Sequence, residues 1–184
     1  MPITVKQIIE QAAGMLGMSH VTFSGSQVIS SFDPVVVQFV SCVNAVLEEI
    51  ATEYVPCVKE EVITVTDRKA EYTSFSQNVF DIIKITADRQ VIDFEMFPSY
   101  LEVGTERPEV TVRYKYIPAK VNINSTVANA KLSARVIALG TAAEFALIDG
   151  RYAESVNLDK QYMYALMAAA RKSKEVRIKG RRWG

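Results

Sequence analysis

The sequence predicts an α+β protein: a four-helix (two plus two) bundle with an inserted small antiparallel β domain and an extended C-terminal tail. Three observations predict it. The period of the apolar residues is helical at both ends of the chain and changes to two in the middle. The 184 residues are 49 % apolar and 23 % charged, enough for a core in one domain, or in one domain carrying an insertion. The last stretch, 171–184, holds seven basic residues and one acid, without a packing pattern. The predicted boundaries are 1–56 and 118–172 for the bundle, 57–117 for the β domain, and 173–184 for the tail.

Thr4 opens the first helix, and Gln7 stands three residues later, the spacing of a capping box. Val5, Ile8, Ile9, Ala12 and Leu16 follow on one face, and Gly17 supplies a stop that tolerates the left-handed conformation. Residues 18–32, rich in Ser and Gly, read as a loop. Asp33-Pro34 is a second helix start: the carboxylate accepts a free backbone N–H, and proline has no donor to lose at the first helical position. Val36, Val40, Val43, Leu47, Ile50 and Tyr54 then step by four and three to the stop before Pro56.

From Cys57 five strands are predicted, at Glu61–Thr66, Ala70–Phe75, Val79–Thr86, Gln90–Phe97 and Glu109–Ile117. Turn signals separate them at Asp67-Arg68, Gln77-Asn78, Asp88-Arg89 and 104–108. Short strands in series favour a small antiparallel sandwich or barrel. The helical period returns with Leu132, Val136, Leu139, Ala143 and Ala146, among small residues that let neighbouring backbones approach closely. Asp149-Gly150 ends that helix, and a last one carries Tyr152, Val156, Met163, Leu166 and Met167. Of Tyr152, Tyr162 and Tyr164, only some can face one core, and an exposed one would suit an interface.

The chemistry of catalysis is sparse. His20 is the only histidine, in a loop without ligand-spaced partners, so no metal site is expected. Cys42 and Cys57 are too few for a disulfide scaffold and read as structural thiols. No phosphate-binding glycine loop, nucleophile elbow or zinc-protease motif occurs. The carboxylate pairs Glu48/Glu49, Glu60/Glu61 and Asp93/Glu95 are neighbours or lie on one strand face. The expectation is a protein that is not an enzyme, needs no cofactor, has no membrane span and is made in a cytoplasm.

Charge is more informative. The net charge is zero, yet residues 1–110 hold 7 Lys or Arg against 16 Asp or Glu, and residues 111–184 hold 14 against 5. Such asymmetry suggests parts that face different partners or opposite parts of neighbouring copies. In the tail, Arg181 and Arg182 precede Trp183, the only tryptophan, and these residue types are enriched at interface hot spots.

The order of elements, helices at 4–17 and 33–54, β insertion at 57–117, helices at 130–172 and the ending Val176-Arg177-Ile178-Lys179-Gly180-Arg181-Arg182-Trp183, resembles the head-to-tail connector (adaptor) proteins of tailed bacteriophages, the group of the tail tubular protein A. The resemblance implies a structural virion protein of the neck between head and tail, assembled in the host cytoplasm. It would form a ring, typically of twelve copies, on the portal protein and offer the next tail or neck protein its attachment site. DNA would pass through the channel without specific recognition. The portal-docking residues it implies are Arg177, Ile178, Lys179, Arg181, Arg182 and Trp183. The alternative is a nucleic-acid-binding module using the basic C-terminal part, whose affinity for phosphates would fall steeply with salt.

Overall fold

The computed structural model describes residues 2–24, 29–127 and 132–173, with side chains to 170. The chain divides into two compact units, Met1–Val46 with Val121–Gly184, and Leu47–Lys120.

In the first unit, β1 (Ile3–Thr4) leads into α1 (Val5–Met15). Thr4 Oγ1 accepts from the Gln7 N–H at 3.2 Å and Gln7 Oε1 accepts from the Thr4 N–H at 3.2 Å, a reciprocal cap. Val5, Ile8, Ile9, Ala12 and Ala13 form the buried face. The helix closes through Gly17 at φ 72°, with Met18 N–H donating to Ala13 O at 2.9 Å and Gly17 N–H to Gly14 O at 3.2 Å. That pair of bonds satisfies carbonyls the helix end would leave bare. Residues 18–24 are tied back onto α1, because Glu10 Oε1 accepts from the Phe23 N–H at 2.6 Å and from Thr22 Oγ1 at 3.3 Å. β1 pairs antiparallel with β9 (Thr126–Val127).

α2 (Pro34–Glu49) begins where Asp33 Oδ1 accepts from the Val35 N–H at 2.9 Å. Its apolar content serves the interior: Val36, Phe39, Val43 and Val46 are buried. With the turn that follows, Pro34–Tyr54 is the one helix among the described residues long and apolar enough to cross a membrane. The predicted helix to Tyr54 changes character at Ile50, where a π turn (Ile50–Tyr54) closes with Val55 N–H donating to Ile50 O at 2.7 Å. The Thr52 hydroxyl competes with the main chain for the carbonyls of Glu48 and Glu49, at 2.9 and 3.2 Å. Val55, before Pro56, is extended (φ −131°).

α3 (Ala134–Ile148) and α4 (Tyr152–Ser173) complete the unit. They correct the four-helix bundle expected above. A bundle helix buries one stripe, whereas α3 buries the unbroken run Val136–Ala143 together with Phe145 and Ala146. A helix apolar on all sides is surrounded. α3 packs closely along α1 and along α4, while α2 and α3 share no such extended packing. α2 meets α3 through the stacked rings of Phe39 and Phe145, 4.0 Å apart. α3 is therefore a hub, not one corner of a square of helices. At Gly140 the approach is close: an added Cβ would lie 2.9 Å from the Tyr162 ring and 3.0 Å from Val46. The small side chains read from the sequence thus serve packing within the chain.

The turn between α3 and α4 repeats the α1 ending. Gly150 has φ 77°, and Arg151 N–H donates to Ala146 O at 2.8 Å. The Arg151 guanidinium reaches Leu16 O at 3.1 Å, capping α1 from 135 residues away. Asn44 holds the returning chain: its Oδ1 accepts from the Val121 N–H at 2.8 Å and its Nδ2 donates to Val121 O at 3.0 Å.

The second unit contains seven strands where the sequence predicted five. β2 (Cys57–Thr64), β8 (Glu109–Ile117), β4 (Asn78–Ala87) and β5 (Gln90–Ile92) form one antiparallel sheet in the order β2-β8-β4-β5. β3 (Lys69–Glu71), β7 (Tyr100–Val103) and β6 (Phe94–Met96) form another in the order β3-β7-β6. Both sheets turn one face to a single core that includes Ile63, Ile85, Leu101, Val103, Val112 and Tyr114. The predicted strand Gln90–Phe97 breaks at Asp93, and its halves enter different sheets. Gly104 makes the break possible by close approach: its N–H donates to Asp93 O at 2.8 Å, and a Cβ would sit 3.1 Å from that oxygen. The predicted strand Ala70–Phe75 stops early, in a 3₁₀ turn at Tyr72–Ser74.

Candidate functional site

The six portal-docking residues expected from the resemblance, Arg177, Ile178, Lys179, Arg181, Arg182 and Trp183, lie outside the described residues, as does the rest of the predicted tail after Ser173. Among the described residues, what remains as candidates are one polar cluster and the outward faces of the two sheets.

The polar cluster sits on the inward side of β2, where Lys59 and Glu61 alternate with outward-facing residues. Glu61 collects donors. Tyr114 OH donates to Oε1 at 2.5 Å, Ser76 Oγ to Oε2 at 2.6 Å, and the Ser76 N–H to Oε1 at 3.0 Å, while Lys59 Nζ lies 3.1 Å from Oε2. Lys59 also donates to Ser76 Oγ. Burial raises the Glu61 carboxyl, but the bonds from Ser76, Tyr114 and Lys59 outweigh it and hold the pKa at about 2. Burial first, and then the bond to Glu61, push the Tyr114 hydroxyl up to about 12.

A serine beside a lysine and a carboxylate invites a catalytic reading, and the geometry argues against it. A carboxylate with a pKa near 2 is a weak proton acceptor at neutral pH. Ser76 lines an open cleft of about 440 Å³ with Tyr72, Phe75, Asn78 and Ile117, yet its hydroxyl is already committed to Glu61. The cluster closes one end of the β core with its polar groups satisfied. Sequence reasoning missed it because the inward Lys59 and Glu61 disguise the start of β2, and Ser76 is 15 residues away.

Its consequence is an acid-sensitive contribution to stability. The folded pKa lies below the unfolded one, so the contribution is full above about pH 4.5 and is lost as pH falls toward 2. The Glu61 side chain is only 18 % exposed, so solvent screening trims the effect without erasing it, leaving about 1–3 kcal/mol. Glu61→Gln is expected to be less stable than wild type by that amount at pH 7, with the gap narrowing between pH 4.5 and 2.5. Thermal unfolding across that range checks it, and a gap independent of pH would contradict the assignment.

No three His, Cys, Asp or Glu side chains gather as metal ligands among the described residues. His20 is exposed. Burial pushes the Cys42 thiol up to about 11, helped by the Glu144 charge, and burial also raises Cys57. Neither is an activated nucleophile.

The sheet faces are more distinctive. β4 carries two bulges against β8, between Val79 and Asp81 and between Ile82 and Lys84. Its inward residues are therefore Val79, Ile82 and Ile85, spaced by three, and Phe80 and Ile83 are turned outward. Bulges re-aim side chains in this way. The outward face reads across the strands in rows: Val62, Thr111, Thr86 and Val91, then Glu60, Arg113 and Lys84, then Val58, Lys115 and Asp81. Val58, Val62, Phe80, Ile83 and Val91 are exposed there. On the helical unit, Tyr162 is buried, whereas Tyr152 and Tyr164 are exposed.

No protein-family model matches the chain, and no curated protein matches it.

Proposed function

We propose that this chain is a head-to-tail connector of a tailed bacteriophage, a structural neck protein without enzymatic activity. Copies of it form a ring on the portal protein, extend the DNA channel and provide the attachment site for the next tail protein. The observation that carries the reading is the order along the chain. A helical unit is interrupted by a β unit, and the last 14 residues carry seven basic side chains and the only tryptophan. Arg177, Ile178, Lys179, Arg181, Arg182 and Trp183 dock on the portal, with Trp183 as the apolar anchor and the basic groups pairing with acids. Many identical tails on one ring compound weak single contacts. Neither a cofactor nor a membrane enters this role, and DNA passes without specific recognition.

The same seven basic residues favour one other reading, a nucleic-acid-binding module in which they contact phosphates and Trp183 stacks on a base. Co-sedimentation of the purified protein with the portal encoded beside it separates the two. The full-length chain is expected to travel with the portal and the chain ending at Ala170 to remain behind, still folded by circular dichroism. A truncated chain that still joins the portal would remove the docking role. No association by either form, with DNA binding by the full chain that collapses between about 50 and 200 mM salt, would establish the alternative.

A further inference from the structure

We infer that the free edge of β6 is a strand-addition site, and that its occupant is an extended segment of the next tail protein with the order apolar, basic, apolar. The identity of that partner rests on the connector reading; the site itself belongs to the β unit alone. β6 lies at the edge of the three-stranded sheet, and all three of its residues are exposed. Phe97 N–H donates to Tyr100 O at 2.9 Å and Gly104 N–H to Asp93 O at 2.8 Å, so a bonded pair stands at each end of the β6–β7 ladder. Bonded and non-bonded pairs alternate in antiparallel strands. Between those ends the main chain of Glu95 bonds that of Glu102, while Phe94 and Met96 turn their N–H and C=O groups away from β7, toward the open edge.

The side chains define what fits that edge. Phe94 stands opposite Val103 and Met96 opposite Leu101, both fully buried, so Phe94 and Met96 lie on the core face. Yet they are 36 % and 43 % exposed, because no strand lies beyond β6 among the described residues. On the outer face the row across the strands is Lys69, Glu102, Glu95. Lys69 answers Glu102, and Glu95, at the open end, makes no ion pair among the described residues. An added strand places a basic side chain beside Glu95 and an apolar one to either side of it, over Phe94 and Met96. Its main chain bonds the free groups of Phe94 and Met96, which supplies affinity, while the alternating side chains supply specificity. Exposed edges are ordinarily blunted by inward charges or by bulges. The longer edges here are blunted so: β2 turns Lys59 and Glu61 inward, and β4, before its pairing with β5, carries two bulges. β6 has neither.

The probe is a fluorescent peptide, Ser-Thr-Val-Arg-Val-Thr-Ser, added to the full-length chain. Saturable binding is expected, at least about tenfold tighter than for the same peptide with Glu in place of Arg. Glu95→Lys is expected to reverse that preference. Hydrogen exchange at the Phe94 and Met96 amides is expected to slow at least about tenfold at saturation, with the Glu95 amide, already bonded, unchanged. Saturating peptide is also expected to displace the next tail protein from rings assembled on the portal. Equal binding of the two peptides, unchanged exchange at Phe94 and Met96, or a tail protein that stays attached would overturn the inference. Protection of these amides without peptide, lost in the chain ending at Ala170, would overturn it in favour of the chain's own Val176-Arg177-Ile178, which has the same order of residue types. A portal that binds no ring would remove the next tail protein as occupant through failure of the connector reading, and the peptide and exchange results would still decide the strand site.

Discussion

Phe145→Ala is expected to destabilise the helical unit by about 3–5 kcal/mol, the usual cost of deleting a buried phenyl ring. Phe145 and Phe39 lie almost parallel, 13° apart in plane, with centroids at 4.0 Å. The ring joins α2 to α3, while the extended backbone packing of α3 is with α1 and α4. The loss is therefore uneven. Amide protection in 34–46 is expected to fall first and furthest, ahead of α1. Phe145→Leu, which keeps most of the volume, is expected to cost under about 1.5 kcal/mol. Urea unfolding and hydrogen exchange provide the readings. A cost below 1 kcal/mol for the alanine variant, or uniform loss of protection, would mean that α2 is held by something other than this stack.

The second large effect belongs to the β unit. Tyr114 is fully buried, its ring meets Phe75 edge-on at 5.1 Å, and its hydroxyl donates to Glu61 at 2.5 Å. Tyr114→Ala removes the largest side chain of that core and one donor from a carboxylate that stays ionised. About 4 kcal/mol is expected, the sum of a cavity and a weakened polar cluster. Tyr114→Phe keeps the ring, so only the bond to Glu61 is lost, at about 1–2 kcal/mol. The difference between the two variants separates packing from hydrogen bonding. Equal losses would show that the hydroxyl, not the ring, organises the end of the sandwich.

These residues also mark how far the sequence is legible. Short-range signals were readable: Thr4 with Gln7, Asp33 with Pro34, Gly17, and Asp149-Gly150 act over at most five residues, and the structure uses each at a helix end. The Asp67-Arg68 and Asp88-Arg89 turns were readable as turns, though both residues of each adopt positive φ, between 49° and 67°. Features set by distant partners were not readable. The hub role of α3 depends on three other helices, and its small residues are equally consistent with one stripe in a bundle. The two bulges in β4 hide inside NVFDIIKITA, where an inward spacing of three resembles neither strand nor a full helix. Tyr100–Val103, between Pro98 and Gly104, is too short to show a clear alternation. Asn44 binds Val121 across 77 residues, and no local pattern announces it. The candidate surfaces share this limit. Glu60, Arg113 and Lys84 become one outward row only once strand register is known. The tail, by contrast, was conspicuous from composition alone.

The most direct test of the connector account is a count of chains on the portal. The portal is saturated with full-length protein and the complex weighed by native mass spectrometry, with the rotational symmetry read from electron micrographs. The account predicts a closed ring with one chain for each portal subunit, lost for the chain ending at Ala170. A portal that binds no chain, or isolated copies without ring symmetry, would contradict it.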